Sequence, residues 1–141
     1  MKSIHPYLTF NGDCEAAFNF YKKVFNSEFQ HIGRFGDMPE DSDYQMTDAD
    51  KKKIMHVSLP LKEGYTLMGS DTSDHYGKAT IGTNFSISIN ADNKEEADQL
   101  YAKLSKGGKE TMPMQNTFWE SYFGMCTDAF GIQWMLSAPP A

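Results

Sequence analysis

The chain has 141 residues, of which 40% are hydrophobic and 23% charged, with a net charge of −6. This length and composition predict a single globular domain, residues 1–141, and exclude a disordered chain. The acidic balance argues against a nucleic-acid partner, and the sequence lacks the ~18 consecutive apolar residues of a membrane span, so we expect no membrane partner.

The N-terminus and the cysteines bear on where the protein works. Residues 1–6 lack the apolar core of a signal peptide. Cys14 and Cys126 are too few for a disulfide framework, and the sequence names no partner that would activate either thiol. We therefore expect a cytoplasmic protein whose two thiols are reduced and structural.

The first part of the chain predicts a strand, a helix and three more strands. Residues 4–10 are rich in β-forming side chains and stop at Asn11-Gly12. Asp13 is a suitable cap for a helix whose apolar residues recur at helical spacing up to Phe25. Further strands are expected over three ranges, residues 28–35, 54–61 and 65–70. Residues 36–53 are polar and turn-rich, which predicts a long loop.

The second part begins with an alternation of polar and apolar residues. Residues 83–90 follow a period of two, which predicts a strand with Phe85 on its apolar face. Asp92-Asn-Lys-Glu95 is similar to a capping box, with Asp92 as the cap of a second helix. Gly107-Gly108 is expected to end that helix, and residues 109–114 predict another strand.

A β-hairpin is predicted near the C-terminus. Two short apolar runs, residues 122–127 and 132–136, flank Asp128-Ala-Phe-Gly131. Ahead of the hairpin, the polar residues 115–120 include Phe118 and Trp119. A loop with such large aromatic side chains packs them or uses them on a ligand.

Taken in order, the predicted elements give β-α-β-β-β twice. The first module runs from about residue 4 to 70, and the second from about residue 83 to 137. The two modules share an architecture without sequence identity, and the fold class is α+β.

This doubled order resembles the vicinal-oxygen-chelate superfamily, which holds glyoxalases, extradiol dioxygenases and bleomycin-resistance proteins. Local motifs narrow the resemblance to its PhnB-like branch, over nearly the whole chain. The motifs are Pro6-Tyr-Leu-Thr-Phe-Asn-Gly12, Phe20-Tyr21, Ile54-Met-His56, Met68-Gly-Ser-Asp71, Thr117-Phe-Trp119, Phe123-Gly124, Thr127-Asp128, Phe130-Gly131 and Trp134-Met135. The resemblance implies the glyoxalase/bleomycin-resistance fold, in which curved mixed sheets surround a cavity, and a homodimer.

The resemblance also implies a place for a metal. Superfamily enzymes hold a divalent ion with one His or Glu from the first and last strand of each module. The corresponding positions here fall near His5 or Pro6, near Met68, near Asn84 and at Met135. Of these, only His5 is a suitable ligand, because Met thioethers suit soft copper(I). We therefore expect no metal and no other cofactor.

A ligand site is predicted from polar and aromatic residues on the expected cavity side. His56 and Ser58 share the polar face of one strand, and Ser86 lies on the matching strand of the second module. His56 is either a polar anchor or general base, or a histidine hydrogen-bonded within the sheet. The apolar wall is expected from Phe118, Trp119, Tyr122 and Met135, with core or dimer packing as the alternative.

Three functions follow from these patterns. The first expectation is a homodimer that binds a small apolar or aromatic molecule without a catalytic metal, as bleomycin-resistance members do. The second is a metal-dependent lyase, isomerase or dioxygenase that uses His5, His56 and Glu120 on a divalent ion. The third is a structural or regulatory dimer whose cavity is filled by its own side chains.

Overall fold

The computed structural model describes residues 1–39, 45–62 and 64–140. The chain divides into two compact units, Met1–Thr80 and Ile81–Ala141. Each unit contains one β-α-β-β-β series and one four-stranded mixed sheet. The α+β class and the predicted order of elements are therefore confirmed. Among the described residues, none of the helices has the length and apolar character needed to cross a membrane.

The first unit builds its sheet in the order β1-β4-β3-β2. Its elements are β1 (Tyr7–Phe10), α1 (Cys14–Val24), β2 (His31–Arg34), a 3₁₀ turn (Phe35–Asp37), α2 (Asp48–Lys52), β3 (Ile54–Lys62) and β4 (Tyr65–Asp71). Strand β1 is parallel to β4, with Tyr7 opposite Met68, and the other two pairs are antiparallel.

The second unit repeats this plan in the order β5-β8-β7-β6. Its elements are β5 (Ile87–Asn90), α3 (Lys94–Ser105), β6 (Lys109–Asn116), β7 (Tyr122–Thr127) and β8 (Gln133–Ala138). Strand β5 is parallel to β8, and β7 and β8 form the predicted hairpin.

One face of each sheet is buried against a helix. In the first unit α1 packs on β3 and β4, and Phe18 and Tyr21 are fully buried there. Gly69 makes this contact possible, because a Cβ atom at Gly69 would lie 2.7 Å from the Phe18 ring. In the second unit α3 packs on β6, β7 and β8, over the buried Trp134 and Leu136.

The opposite face of each sheet carries the alternate residues of the same strands. We call it the far face. On the first sheet the far face carries Tyr7, His31, His56, Ser58, Met68 and Ser70. On the second sheet it carries Ser88, Phe123, Met125, Gln133, Met135 and Ser137.

A buried carboxylate organises the first unit. Asp71, at the end of β4, is only 4% exposed. Its Oδ1 accepts hydrogen bonds from the backbone N–H of Gly12 at 2.9 Å and of Cys14 at 3.0 Å, and its Oδ2 accepts one from Ile54 N–H at 2.9 Å. One side chain therefore joins the turn before α1, the first residue of α1 and the start of β3.

A second buried carboxylate, Asp128, organises the β7–β8 turn. Its Oδ1 accepts from the N–H groups of Phe130 and Ile132, at 2.8 and 3.1 Å. Its Oδ2 accepts from the indole N–H of Trp134 at 2.8 Å. Gly131 closes the turn with φ +90°, a conformation that favours glycine.

Several predicted boundaries differ from the structure. The strand expected over residues 83–90 begins only at Ile87, and Phe85 is exposed ahead of it. The strands expected over residues 4–10 and 28–35 are shortened to Tyr7–Phe10 and His31–Arg34, although single backbone hydrogen bonds join the preceding residues Pro6 and Gln30 to the neighbouring strands.

The loop and cap predictions also need correction. The loop predicted over residues 36–53 contains α2, which Thr47 caps, although residues 40–44 lie outside the described part of the chain. The cap of α3 is Asn93, whose side chain accepts from Glu96 N–H, rather than Asp92. Asp13 precedes α1 without a capping hydrogen bond from its side chain, and the N–H group of Cys14, the first residue of the helix, donates to Asp71.

We predict that Asp71→Ala lowers the free energy of unfolding by about 3 kcal/mol, because three backbone N–H groups lose a charged acceptor. Urea unfolding followed by circular dichroism measures the change. The matched control is Asp74→Ala, since Asp74 is an exposed carboxylate three residues away and should change the stability by about 0.5 kcal/mol or less. Equal effects of the two substitutions would show that the buried bonds do not hold the unit together.

Candidate functional site

His56 lies between two other rings on the far face of the first sheet. Its Nδ1 is 3.1 Å from the hydroxyl of Tyr7, which reaches it across β4, and the two rings stack with centroids 5.7 Å apart. The ring of His31, on β2, has its centroid 5.7 Å from that of His56. We call Tyr7, His31 and His56 the ring cluster. It presents one phenol and two imidazoles on one surface.

The strand register explains why these rings meet. His31 lies opposite Ser58, and Gly33 lies opposite His56. A Cβ atom at Gly33 would lie 3.0 Å from Cε1 of His31, so the absence of a side chain leaves room for the ring. Ser58 is buried, and it shares the far face with His56 because the two residues are two apart on β3.

The second group of predicted residues centres on a short loop between β6 and β7. We call residues 117–121 the aromatic loop. Its ends are joined, since Thr117 N–H donates to Ser121 O at 2.8 Å and Ser121 N–H donates to the Thr117 hydroxyl at 3.3 Å. Glu120 adopts φ +59°, a left-handed conformation that is uncommon for residues other than glycine.

The loop exposes two large aromatic side chains. Phe118 is 94% exposed and Trp119 is 52% exposed. Their rings meet edge to face with centroids 4.9 Å apart, and Trp119 also packs on Phe123 of the far face at 5.7 Å. Met125, on the far face two residues after Phe123, lies opposite Met135 in the register. We call these five side chains the apolar patch.

Two of the predicted ligand residues are placed elsewhere. Tyr122 is buried on the helix side of the second sheet, and its hydroxyl donates to Asp98 on α3 at 2.5 Å. It therefore serves the core, and the expectation that it lines the ligand wall is corrected. Ser86 is exposed and precedes β5, so it is not a residue of the sheet face on which it was expected.

Tyr7 and His31 were not predicted as site residues. Each is the one member of the ring cluster in its strand, and only the register of β1 and β2 brings it to His56. Two small cavities among the loops of the first unit, of about 130 and 210 Å³, were not predicted either. Ser73 lines both cavities, and none of the predicted ligand residues does.

Comparisons with known proteins assign the family. A family model described as 3-demethylubiquinone-9 3-methyltransferase matches residues 2–137. The chain belongs to this family. It is 31% identical to Protein YjdN of Escherichia coli (strain K12) over 143 residues, which cover 95% of this chain and 93% of that protein.

Solved structures agree with the assignment. Protein PA1353 from Pseudomonas aeruginosa is 40% identical, with a TM-score of 0.84 over 99% of this chain and 98% of that one. A putative 3-demethylubiquinone-9 3-methyltransferase, PhnB protein, from Bacillus cereus is 27% identical, with a TM-score of 0.72 over 96% and 98%. The resemblance to the PhnB-like branch is therefore confirmed.

A more distant structure identifies the fold. The glyoxylase/bleomycin resistance protein/dioxygenase domain from Frankia sp. EAN1pec is 16% identical, with a TM-score of 0.68 over 99% of this chain and 93% of that domain. At this identity the similarity concerns the fold alone. The predicted glyoxalase/bleomycin-resistance fold is confirmed.

The metal that the superfamily implies does not fit the residues present. Met68 and Met135 offer thioethers, which suit soft copper(I) rather than hard or borderline divalent ions, and Asn84 offers only a single neutral amide oxygen. His5 precedes β1 as a single imidazole. Within the described ranges, no three side chains of His, Cys, Asp or Glu are grouped so that they could hold a metal ion. The side chains at these positions therefore do not support a catalytic step through a divalent metal ion.

The two thiols are unsuited to nucleophilic chemistry. Cys14 and Cys126 are both buried and free. Burial, followed by the nearby Asp71 carboxylate, raises the pKa of the Cys14 thiol. Burial, followed by Asp128, raises the pKa of the Cys126 thiol to about 11. Since the thiolate is the reactive form, neither cysteine is a nucleophile near neutral pH.

We predict that neither thiol of the native protein reacts readily with 5,5′-dithiobis(2-nitrobenzoate) at pH ~8, with rates about 100-fold or more below that of an exposed thiol. Both should react once urea unfolds the chain. An Ala102→Cys variant, with an exposed position on α3, provides the exposed thiol for comparison. Rapid labelling of the native wild-type protein would contradict the assignment of both cysteines to the core.

Proposed function

We propose that this protein binds a small apolar or aromatic molecule, without a catalytic metal at the superfamily's positions. The proposed contacts are the apolar patch, which includes Phe118, Trp119 and Met135. His56 and Ser58, on the far face of the first sheet, are proposed as polar contacts for a ligand at the first unit, separately from the apolar patch of the second unit.

The observation that carries this proposal is that the aromatic loop is held by hydrogen bonds and yet exposes two large aromatic side chains. The hydrogen bonds between Thr117 and Ser121 hold a loop whose two aromatic rings are largely exposed. Apolar surface that is exposed to water in an ordered loop is a common mark of a binding site, because its burial against another molecule is favourable. The indole of Trp119 can stack on a flat ligand, and flexible Met125 and Met135 side chains can adapt to its shape.

A ligand contact at His56 would be polar, in contrast to the apolar contacts that the aromatic loop offers. The hydroxyl of Tyr7 forms a hydrogen bond with Nδ1 of His56, and this bond fixes the orientation of the imidazole ring. The other ring nitrogen, Nε2, has no hydrogen-bond partner within the part of the chain that the structure describes. It can therefore donate to, or accept from, one polar atom of a ligand, depending on the tautomer.

The family model is described as a methyltransferase. The geometry here does not support binding of a nucleotide cofactor in the way that doubly wound α/β folds bind one. Such binding uses N–H groups at a glycine-rich turn between a strand and a helix. Here the turn between β1 and α1 is Asn11-Gly12-Asp13, and the N–H groups of Gly12 and Cys14 already donate to Asp71. At α3, the side chain of Asn93 bonds Glu96 N–H.

We predict that the native protein binds the fluorescent probe 1-anilinonaphthalene-8-sulfonate, and that Trp119→Ala weakens this binding about 10-fold. Loss of one stacked aromatic contact is worth roughly 1 kcal/mol or slightly more. A fluorescence titration measures the dissociation constant. Cooperative thermal unfolding of each variant must be checked, because partly folded proteins also bind this probe.

Phe85→Ala is the matched control, because Phe85 is an exposed aromatic residue of the same unit outside the apolar patch. It should leave the dissociation constant within about 2-fold of the wild-type value. Equal affinity of the wild type and Trp119→Ala, or equal losses in the two variants, would refute the proposed role of the aromatic loop.

We also propose that the protein works as a homodimer, as the resemblance to the superfamily implies. Light scattering after size-exclusion chromatography should give twice the chain mass of 15.9 kDa. A mass equal to one chain at about 10 μM protein would contradict this part of the proposal. A stable dimer has a dissociation constant well below ~1 μM and stays assembled at that concentration.

A further inference from the structure

We propose that His31 and His56 form a binding site for one divalent transition-metal ion, such as Cu²⁺, Ni²⁺ or Zn²⁺. The site lies on the far face of the first sheet and uses none of the four positions at which the superfamily holds its metal. It does not depend on the proposed small-molecule function, because the ion alone is the ligand.

The first step of the argument is the distance between the imidazoles. His31 on β2 and His56 on β3 are diagonal neighbours on one face, with ring centroids 5.7 Å apart and planes inclined by 32°. Imidazole nitrogens bind such ions at about 2.0–2.1 Å, so two of them on one tetrahedral ion lie roughly 3.3 Å apart. Binding of one ion by both residues therefore requires that the two side chains rotate about their χ angles until one nitrogen of each ring reaches that separation.

The second step concerns Tyr7. A histidine that binds a metal through one ring nitrogen usually donates the N–H of the other to an oxygen atom. The Nδ1 of His56 lies 3.1 Å from the Tyr7 hydroxyl oxygen. When Nδ1–H donates to that oxygen, Nε2 keeps its lone pair for the ion. Tyr7 is therefore a positioning residue that sets the tautomer and the orientation of His56.

The third step concerns Gly33 and the surrounding charge. The His31 ring occupies the space beside Gly33, and Gly33 is the cross-strand partner of His56. A carboxylate oxygen of Asp37 lies 4.0 Å from the position that a Gly33 Cβ would take, where His31 is also found. This oxygen accepts from Arg34 N–H, and its negative charge favours a cation at the site.

Two protein donors leave the other coordination positions to water, so we expect an exchangeable ion rather than a structural one. Imidazole donors select transition metals over Mg²⁺ and Ca²⁺. Affinity should be highest for Cu²⁺, lower for Ni²⁺ and Zn²⁺, and lower again for Mn²⁺.

The test uses chelator-treated full-length protein without a polyhistidine tag, titrated with NiCl₂, ZnCl₂ and MgCl₂ by isothermal calorimetry. We expect one Ni²⁺ or Zn²⁺ per chain and no heat of binding for Mg²⁺. His31→Ala and His56→Ala should each weaken binding at least 10-fold, and Tyr7→Phe should weaken it about 10-fold through the lost orienting bond. Thermal melting confirms that each variant is folded.

Two of the four histidines of the chain, His5 and His75, lie outside the proposed site and provide matched controls. His5→Ala and His75→Ala should leave the affinity and the stoichiometry unchanged. The absence of Ni²⁺ and Zn²⁺ binding, or its persistence in His31→Ala, would overturn the proposal. Loss of binding in His5→Ala alone would also overturn it and would move the ion to the superfamily's position. Failure of probe binding at the apolar patch would leave this result unaffected.

Discussion

The bonds from three backbone N–H groups to the buried Asp71 carboxylate are the constraint on which the first unit depends. They fix where β3 begins, since Ile54 is the first residue of that strand, and they fix how α1 leaves β1. The placement of α1 determines which face of the sheet is buried, and hence which face carries Tyr7, His31 and His56. The buried Asp71 carboxylate therefore helps to determine which side chains lie on the far face of the first sheet.

The second unit reaches the same architecture by a different use of the same group. Asp128 bonds two N–H groups of the turn and the indole of Trp134, so it fixes the hairpin and the largest core side chain together. Both carboxylates are almost fully buried, and both are satisfied by N–H donors, which offsets the cost of removing their charge from water. The shared plan of the two units thus does not require shared residues.

The order of the elements was predictable because alternation, helical spacing and turn residues are local signals. The boundaries were less predictable: the alternation around Phe85 continues beyond the hydrogen-bonded part of β5, and Asp13 resembles a cap although its side chain makes no capping hydrogen bond. The candidate site was predictable only in part. Phe118 and Trp119 stood out as aromatics in a polar loop, whereas the contacts of Tyr7 and His31 with His56 depend on strand register, which a single sequence does not specify.

The hydrogen bonds that close the aromatic loop separate its exposed side chains from the pairing of the strands that carry it. Because Thr117 and Ser121 bond each other, the three residues between them are attached to the β6–β7 pair at fixed points. Their side chains can be exchanged for others without altering the length or pairing of the strands, provided that position 120 tolerates a left-handed backbone. A library limited to positions 118–120 would therefore vary the exposed surface of the loop while the sheet that supports it stays constant.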